Sequence, residues 1–258
     1  INNNFNNGIF SIATGVGKSL IILKIFWEYH KRHNKDNLLF FCERKDILQK
    51  LFYVSYKNKK AILNEDNIIL WKKNDIIDLN RFEIMEFVYT KDKNWVNKIN
   101  NYKGDKPLFI VINRQFLTTY SSNLQPNTFK YQNIAFNEPK LIVLDECHSG
   151  LANRTYEFLT HAKNNWKSKI HGFSATPYRA GKNWTKLKLV PELEYINDEL
   201  NHDTNVDRIT NIFHKTSNSK SLNILYSYNL KDAIENGYIL EPVFNWFQID
   251  KYKKKEKK

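Results

Sequence analysis

The stretch from Ile9 to Leu20, IFSIATGVGKSL, constrains this chain more than any other. Ile9, Phe10, Ser11 and Ile12 have strand character and run into Thr14-Gly15-Val16-Gly17-Lys18-Ser19, and an apolar run to Trp27 follows at once. A strand, a tight glycine turn and a helix start together make a phosphate cradle. Glycines let backbone N–H groups approach an anion, and the helix N-terminus adds partial positive charge. In that geometry Lys18 supplies a full charge to the β- and γ-phosphates of a nucleoside triphosphate. The Ser19 hydroxyl becomes a ligand for Mg²⁺, which takes few protein ligands and keeps most of its waters. The general pattern is G-x-x-x-x-G-K-[ST], and Ile12 stands at its first glycine position. A chance Gly-Lys-Ser turn is the competing reading, and the strand and helix flanking the loop weigh against it.

The rest of the chain alternates short apolar runs with helical stretches, the mark of a parallel sheet covered on both faces. The helix after Ser19 runs to about His33, and Leu38 to Cys42 reads as a central strand. Glu43 to about Tyr56 reads as a helix, Asn67 to Trp71 as a strand, and Phe82 to Tyr89 as helical. Residues 72–106 form a polar elaboration on the sheet edge. Leu108 to Ile112 is a strand, 120–139 a polar loop, and Leu141 to Leu144 the strongest strand of all. A helix is expected over Arg154 to Ala162, loops over 180–220, and a helix from Asn229 to Asn236 that stops at Gly237. Tyr238 to Phe247 reads as a last strand broken by Pro242. No internal repeat is visible.

Asp145-Glu146 follows the strand Leu141 to Leu144 directly. In an open α/β sheet the ligand lies beyond the carboxyl ends of the strands, where the glycine loop also projects. There one carboxylate, Asp145, can hold Mg²⁺ through water, and Glu146 can polarise a water for attack on the γ-phosphate. His148, Ser174 and Thr176 carry no catalytic meaning by spacing alone, and the remaining histidines show no metal spacing.

Composition narrows the partners. The formal net charge is +13; the segment Lys251 to Lys258, with six lysines and one glutamate, holds +5 of it and leaves +8. A basic balance fits a polyanion. Two cysteines, Cys42 and Cys147, form no C-x-x-C pair and suggest neither a zinc site nor a disulfide. No run approaches the roughly 18 apolar residues of a membrane span, and the first residues lack the pattern of a signal peptide. The expectation is an intracellular, soluble protein with no membrane partner.

ATGVGKS, DECH and SATP, in that order, resemble the first motor domain of superfamily 2 helicases and translocases, and DECH places the chain with the DExH branch. The glycine loop is similar to that of restriction-enzyme motor subunits, a branch whose loop also lacks the first glycine. Phe41 to Gln49 resembles motif Ia, Ile112 to Gln115 the next nucleic-acid-contact segment, and Leu230 to Leu240 the closing helix and strand. The style of the sequence is similar to that of large-DNA-virus members.

The resemblance implies a RecA-like P-loop NTPase fold: α/β, with a mostly parallel sheet and helices on both faces. It implies an ATP-binding domain over residues 1–250, followed by a lysine-rich tail or linker start at 251–258. Thr14, Gly15, Val16, Gly17, Lys18 and Ser19 would bind ATP, with Mg²⁺ on Ser19 and Asp145 and catalysis by Glu146, Lys18 and Asp145. His148, Ser174 and Thr176 would couple the ATP site to the nucleic-acid track. Arg44, Arg114 and Gln115 would meet strand phosphates of DNA or RNA without reading sequence. Family members also carry a second RecA-like domain whose arginines complete the ATP site, and the reading expects that domain to be absent here. Alone, the chain is then expected to bind ATP weakly and to hydrolyse it slowly or not at all. Two other readings stay open: a nucleotide-dependent nucleic-acid-binding module without motor activity, and a small-molecule kinase, which has no use for DECH and SATP together.

Overall fold

A computed structural model describes residues 6–42, 65–87, 95–113, 131–147, 153–175, 204–214 and 222–240. Among these residues seven strands form one sheet in the order β3-β4-β2-β5-β6-β1-β7. They are β1 (Gly8–Ile12), β2 (Asn37–Cys42), β3 (Glu83–Phe87), β4 (Leu108–Asn113), β5 (Pro139–Leu144), β6 (Lys169–Ser174) and β7 (Ile224–Tyr228). Every pairing is parallel. The described helices are α1 (Lys18–Arg32), α2 (Glu65–Lys73), α3 (Trp95–Asn100), α4 (Asn153–His161), α5 (Thr204–Phe213) and α6 (Leu230–Glu235). α4 continues as a π-helical turn over Ala162–Trp166.

β2, β4 and β5 are apolar over 38–42, 108–112 and 141–144 because both faces of the sheet are covered there. Period-2 alternation divides their side chains between two cores. Leu39, Phe41, Ile110, Ile112, Ile142 and Leu144 face one core with Phe158 and Leu159 of α4 and Ile209, Ile212 and Phe213 of α5. Leu38, Phe40, Phe109, Val111, Leu141 and Val143 face the other with Ile22, Phe26 and Tyr29 of α1 and Trp71 of α2. Phe26 meets Phe109 edge-on at 4.9 Å between ring centroids. Each such ring, fully withdrawn from water, contributes roughly 1.5–3 kcal/mol.

An expected α/β architecture with a parallel sheet is what the chain adopts, and β1, α1, β2, β4, β5, α4 and α6 fall where the sequence placed them. Several local expectations are corrected. Asn67 to Trp71 is helical, inside α2, not a strand. Glu65 and Asp66 open this helix and Lys72 and Lys73 close it, matching its dipole. Phe82 to Tyr89 was expected to be helical, yet Glu83–Phe87 pairs with β4 as the edge strand β3. The 72–106 segment therefore contributes to the sheet itself. The 180–220 region holds α5, whose Ile209, Ile212 and Phe213 are buried on one face. A short 3-10 turn at Tyr131–Asn133 interrupts the expected 120–139 loop. Tyr238 to Leu240 is not strand, and the remainder of that expected strand, like the helix expected over 43–56, lies outside the described residues.

Candidate functional site

Three strand ends build the site. In the sheet β6 lies between β5 and β1, and β7 lies on the far side of β1. β1 stops at Ile12; the Ala13 N–H donates to Tyr228 O at 2.9 Å, and the chain then leaves the sheet as the glycine loop. Gly15 and Gly17 hold φ of 88° and 84°, a left-handed backbone that side-chain-bearing residues adopt at a cost. Gly17 is also the N-cap of α1, and no side chain caps that helix end. An α-helix leaves its first N–H groups without intrahelical partners, so an uncapped N-terminus behind a glycine loop offers donors to an anion. A Cβ placed on Gly17 would meet nothing within 4 Å, so the concavity in front of the helix is open. No acidic residue occupies the first turn of α1 to oppose an anion.

β5 supplies the acidic pair. The Asp145 N–H donates to Phe41 O at 2.9 Å, which extends the β5–β2 ladder by one residue and fixes where the carboxylate leaves the sheet. The chain then turns sharply at Glu146, with φ of 49° and its N–H donating to Asp145 Oδ1 at 3.1 Å. Lys18, at the first turn of α1, reaches both carboxylates. Its Nζ lies 3.7 Å from Asp145 Oδ1 and donates to Glu146 Oε1. The Asp145 side chain is 3% exposed and that of Glu146 23%, so the second carboxylate is the one open to water. Cys147 is fully buried behind the pair. Burial first, and the Glu146 carboxylate second, push its thiol far above the ordinary range, so it packs as a neutral side chain and offers no thiolate.

β6 fills the gap between the two arms. Its Gly172 pairs in register with Leu144 on one side and Ile9 on the other, and Ser174 pairs with Ser11 at the carboxyl end. Ser174 is fully buried. The structure thus brings Thr14 to Ser19, Asp145, Glu146 and Ser174 to one edge of the sheet. His148, Thr176, Arg44, Arg114 and Gln115 lie outside the described residues. β2 and β4, which precede the segments holding Arg44 and Arg114, end together at Cys42 and Asn113, paired in register.

The donor set fits a magnesium-bound triphosphate: an uncapped helix start, a lysine, a hydroxyl at Ser19 and two carboxylates that already converge on the lysine. Among the described residues no group of three or more His, Cys, Asp or Glu is arranged to hold a metal ion by itself, and a metal largely held by phosphate and water needs none. Two features escaped the sequence reading. One is Gly172, whose missing side chain admits Cys147. The other is the Tyr228–Ile239 segment, which lies against the glycine loop: a Cβ on Gly15 would come 3.7 Å from Ile239 Cδ1. Only the alternating aromatics Tyr226 and Tyr228 hinted at it.

A parallel α/β sheet with this loop and these carboxylates beyond its carboxyl edge defines a RecA-like P-loop nucleoside-triphosphatase fold. The chain belongs to the family of the Type III restriction enzyme, res subunit, which it matches over residues 1–179. It is accordingly an ATP-binding domain of the superfamily 2 helicase type. Among solved structures, one similar chain is a nuclease-deletion mutant of the Type ISP restriction-modification enzyme LlaGI in complex with a DNA substrate mimic. It is 17% identical, with a TM-score of 0.42, over 69% of this chain and 16% of that one. Another is the DUF1998 helicase MrfA bound to DNA and AMPPNP, 18% identical, with a TM-score of 0.39, over 66% of this chain and 22% of that one. The chain thus spans less than a quarter of the length of either. Among curated proteins none matches. No helix among the described residues is long and apolar enough to cross a membrane.

Proposed function

We propose that the chain binds ATP with Mg²⁺ on Thr14 to Ser19 and that hydrolysis there drives movement along, or unwinding of, nucleic acid, DNA in preference to RNA. The observation that carries this reading is the convergence of Lys18 with Asp145 and Glu146 across β6, in a chain of this family. Backbone N–H groups of the loop and of the start of α1 hold the phosphates, and Lys18 Nζ exchanges its carboxylate partner for β- and γ-phosphate oxygens. Bound Mg²⁺ supplies charge neutralisation on those oxygens; Ser19 Oγ and, through water, Asp145 would hold it. Glu146 orients the attacking water and takes its proton. Phosphoryl transfer asks for little more than such positioning and neutralisation.

His148, Ser174 and Thr176 link this site to the nucleic-acid track, and Arg44, Arg114 and Gln115 meet strand phosphates. The net charge of +13 supports a polyanion partner. Residues 1–250 act as one ATP-binding domain that works against a second RecA-like domain, whose arginines complete the site. The test is the ATPase rate of the protein, extended to its natural ends, with no polymer, single-stranded DNA, duplex DNA and RNA. Stimulation by a DNA form is expected. ATP binding with no stimulation by any polymer would replace the motor with a nucleotide-dependent binding module.

A further inference from the structure

We infer that the hollow between β7, the end of α6 and the glycine loop receives the base of the bound nucleotide, an inference that rests on the ATP reading of the loop. The hollow has a volume of about 400 Å³ and is lined by Ile12, Val16, Ile21, Tyr226, Tyr228, Asn236 and Tyr238. Its inner wall is the phosphate cradle itself: Ile12 ends β1, Val16 sits in the loop and Ile21 lies on α1. Its outer wall is aromatic.

Strand order sets the direction of the ligand. Asp145 and Glu146 stand at the end of β5, separated from β1 by β6, while β7 flanks β1 on the opposite side. A triphosphate whose terminal phosphate points at Glu146 therefore extends its other end toward β7. The hollow lies there, in contact with the loop.

The lining suits a flat heterocycle and not a further anion. Among the described residues that line it none is charged. Tyr226 and Tyr228, two apart on β7 and so on one face, are nearly parallel, with 13° between their planes. Tyr238 stands edge-on to Tyr228, with ring centroids 6.3 Å apart. Bases stack on such faces whatever their identity. Asn236 places an amide beside them, a group able to pair with the amine and ring nitrogen of adenine. The aromatic wall is held in place. The Tyr228 hydroxyl donates to Asp232 O at 3.2 Å, and the Tyr238 N–H donates to Ala233 O at 2.9 Å behind Gly237, whose φ is 72°. Tyr238 nevertheless leaves 70% of its surface in water and Tyr226 51%, which is costly for large rings unless something covers them.

The experiment is calorimetric titration of the protein, extended to its natural ends, with ATP and with inorganic tripolyphosphate, each with Mg²⁺, on the parent, Tyr238→Ala, Tyr238→Phe, Asn236→Ala and Lys18→Ala. Tyr238→Ala should weaken ATP about tenfold and leave tripolyphosphate unchanged. Tyr238→Phe should keep the parent's ATP affinity, because stacking needs only the ring. Unchanged ATP affinity in both Tyr238→Ala and Asn236→Ala, or equal losses for both ligands, overturns the base site. Lys18→Ala reports on the underlying reading alone. It should weaken both ligands, and normal binding of both by that variant, or binding of neither by the parent, overturns the phosphate loop itself. Tyr238 is exposed, so its replacement leaves the core intact.

Discussion

Gly172 on β6 lies directly against Cys147. A Cβ on the glycine would fall 2.8 Å from Cys147 Sγ and 2.9 Å from Phe213 Cζ. Both neighbours are fully buried, so neither can swing aside into solvent. The missing side chain lets Cys147, and with it the turn that carries Asp145 and Glu146, settle onto β6.

Gly172→Ala should therefore overpack the core under the acidic pair and destabilise the fold by about 1–3 kcal/mol. Cys147→Ala removes the Sγ that the new methyl meets. The double variant should lose clearly less than the sum of the two single losses, because the sites share one contact. Urea melts of the three proteins measure the coupling. Strict additivity would mean that Cys147 Sγ does not limit the position, and that Phe213 Cζ or the Cys147 Cβ, 3.0 Å away and kept in Cys147→Ala, does.

Gly17 needs its glycine for the opposite reason. With nothing within 4 Å of a Cβ, a substitution there meets only the left-handed backbone at φ 84°. Gly17→Ala should cost about 1–2 kcal/mol, and Gly17→Asn less, since Asn tolerates that region better than Ala. Both put atoms into the open concavity, so both should lose ATP affinity by similar factors despite unequal melting temperatures. An Asn variant that binds as the parent does would show that the space in front of Gly17 is not used by phosphate.

The sheet was legible where burial on both faces left a run of apolar residues with no polar interruption, as in Leu38 to Cys42 and Leu141 to Leu144. It was illegible at the margins, where short apolar runs suit either period. Asn67 to Trp71 has the apolar density of a strand, yet of the nine residues in α2 only Trp71 is buried, and the charges at its two ends decide for helix. Glu83–Phe87 sets its two glutamates three apart with Ile84 and Met85 side by side, a spacing that fits a helix turn better than a strand, and it is pairing with β4, a tertiary contact, that decides. In α5 the spacing of Ile209, Ile212 and Phe213 was visible, but the polar residues around them masked it. At the site, the loop and the acidic pair could be read because their chemistry requires certain residue types in order. The Gly172 seat and the tyrosine wall could not, because they arise between segments far apart in sequence.

His171 gives the fold an acid limit. It is buried on β6, where burial, opposed by a hydrogen bond with Asn6 O at 3.0 Å and aided by the Lys169 charge, lowers its pKa from 6.5 to about 4. Between those values the unfolded chain binds the proton and the folded chain does not. Stability is thus complete above about pH 6.5 and falls as pH drops toward 4, by roughly 3 kcal/mol for this group. His30 and His161 are also held low by burial and add to the same slope. His171→Gln should be less stable than the parent at pH 7.5 but lose less between pH 6.5 and 4.5. Parallel denaturation curves for parent and variant over that range would remove His171 as the cause.

Glu146→Gln separates binding from chemistry. Glutamine keeps the size and the turn at φ 49°, including the N–H donated to Asp145 Oδ1. It removes the charge that Lys18 contacts and the base that would take a proton from water. Lys18 then meets the phosphates without a competing carboxylate, so ATP affinity should be retained or rise a few-fold. Turnover at saturating nucleic acid should fall about 10²–10⁴-fold, the span of a lost general base. Asp145→Asn should behave differently if Asp145 holds Mg²⁺ through water as proposed: its ATP affinity should drop, and the drop should shrink when Mg²⁺ is raised. Equilibrium binding and steady-state turnover on the same preparations, extended to the natural ends of the protein, distinguish the two. Unchanged turnover in Glu146→Gln would take the water-activating role from Glu146 and leave it as a partner of Lys18 alone.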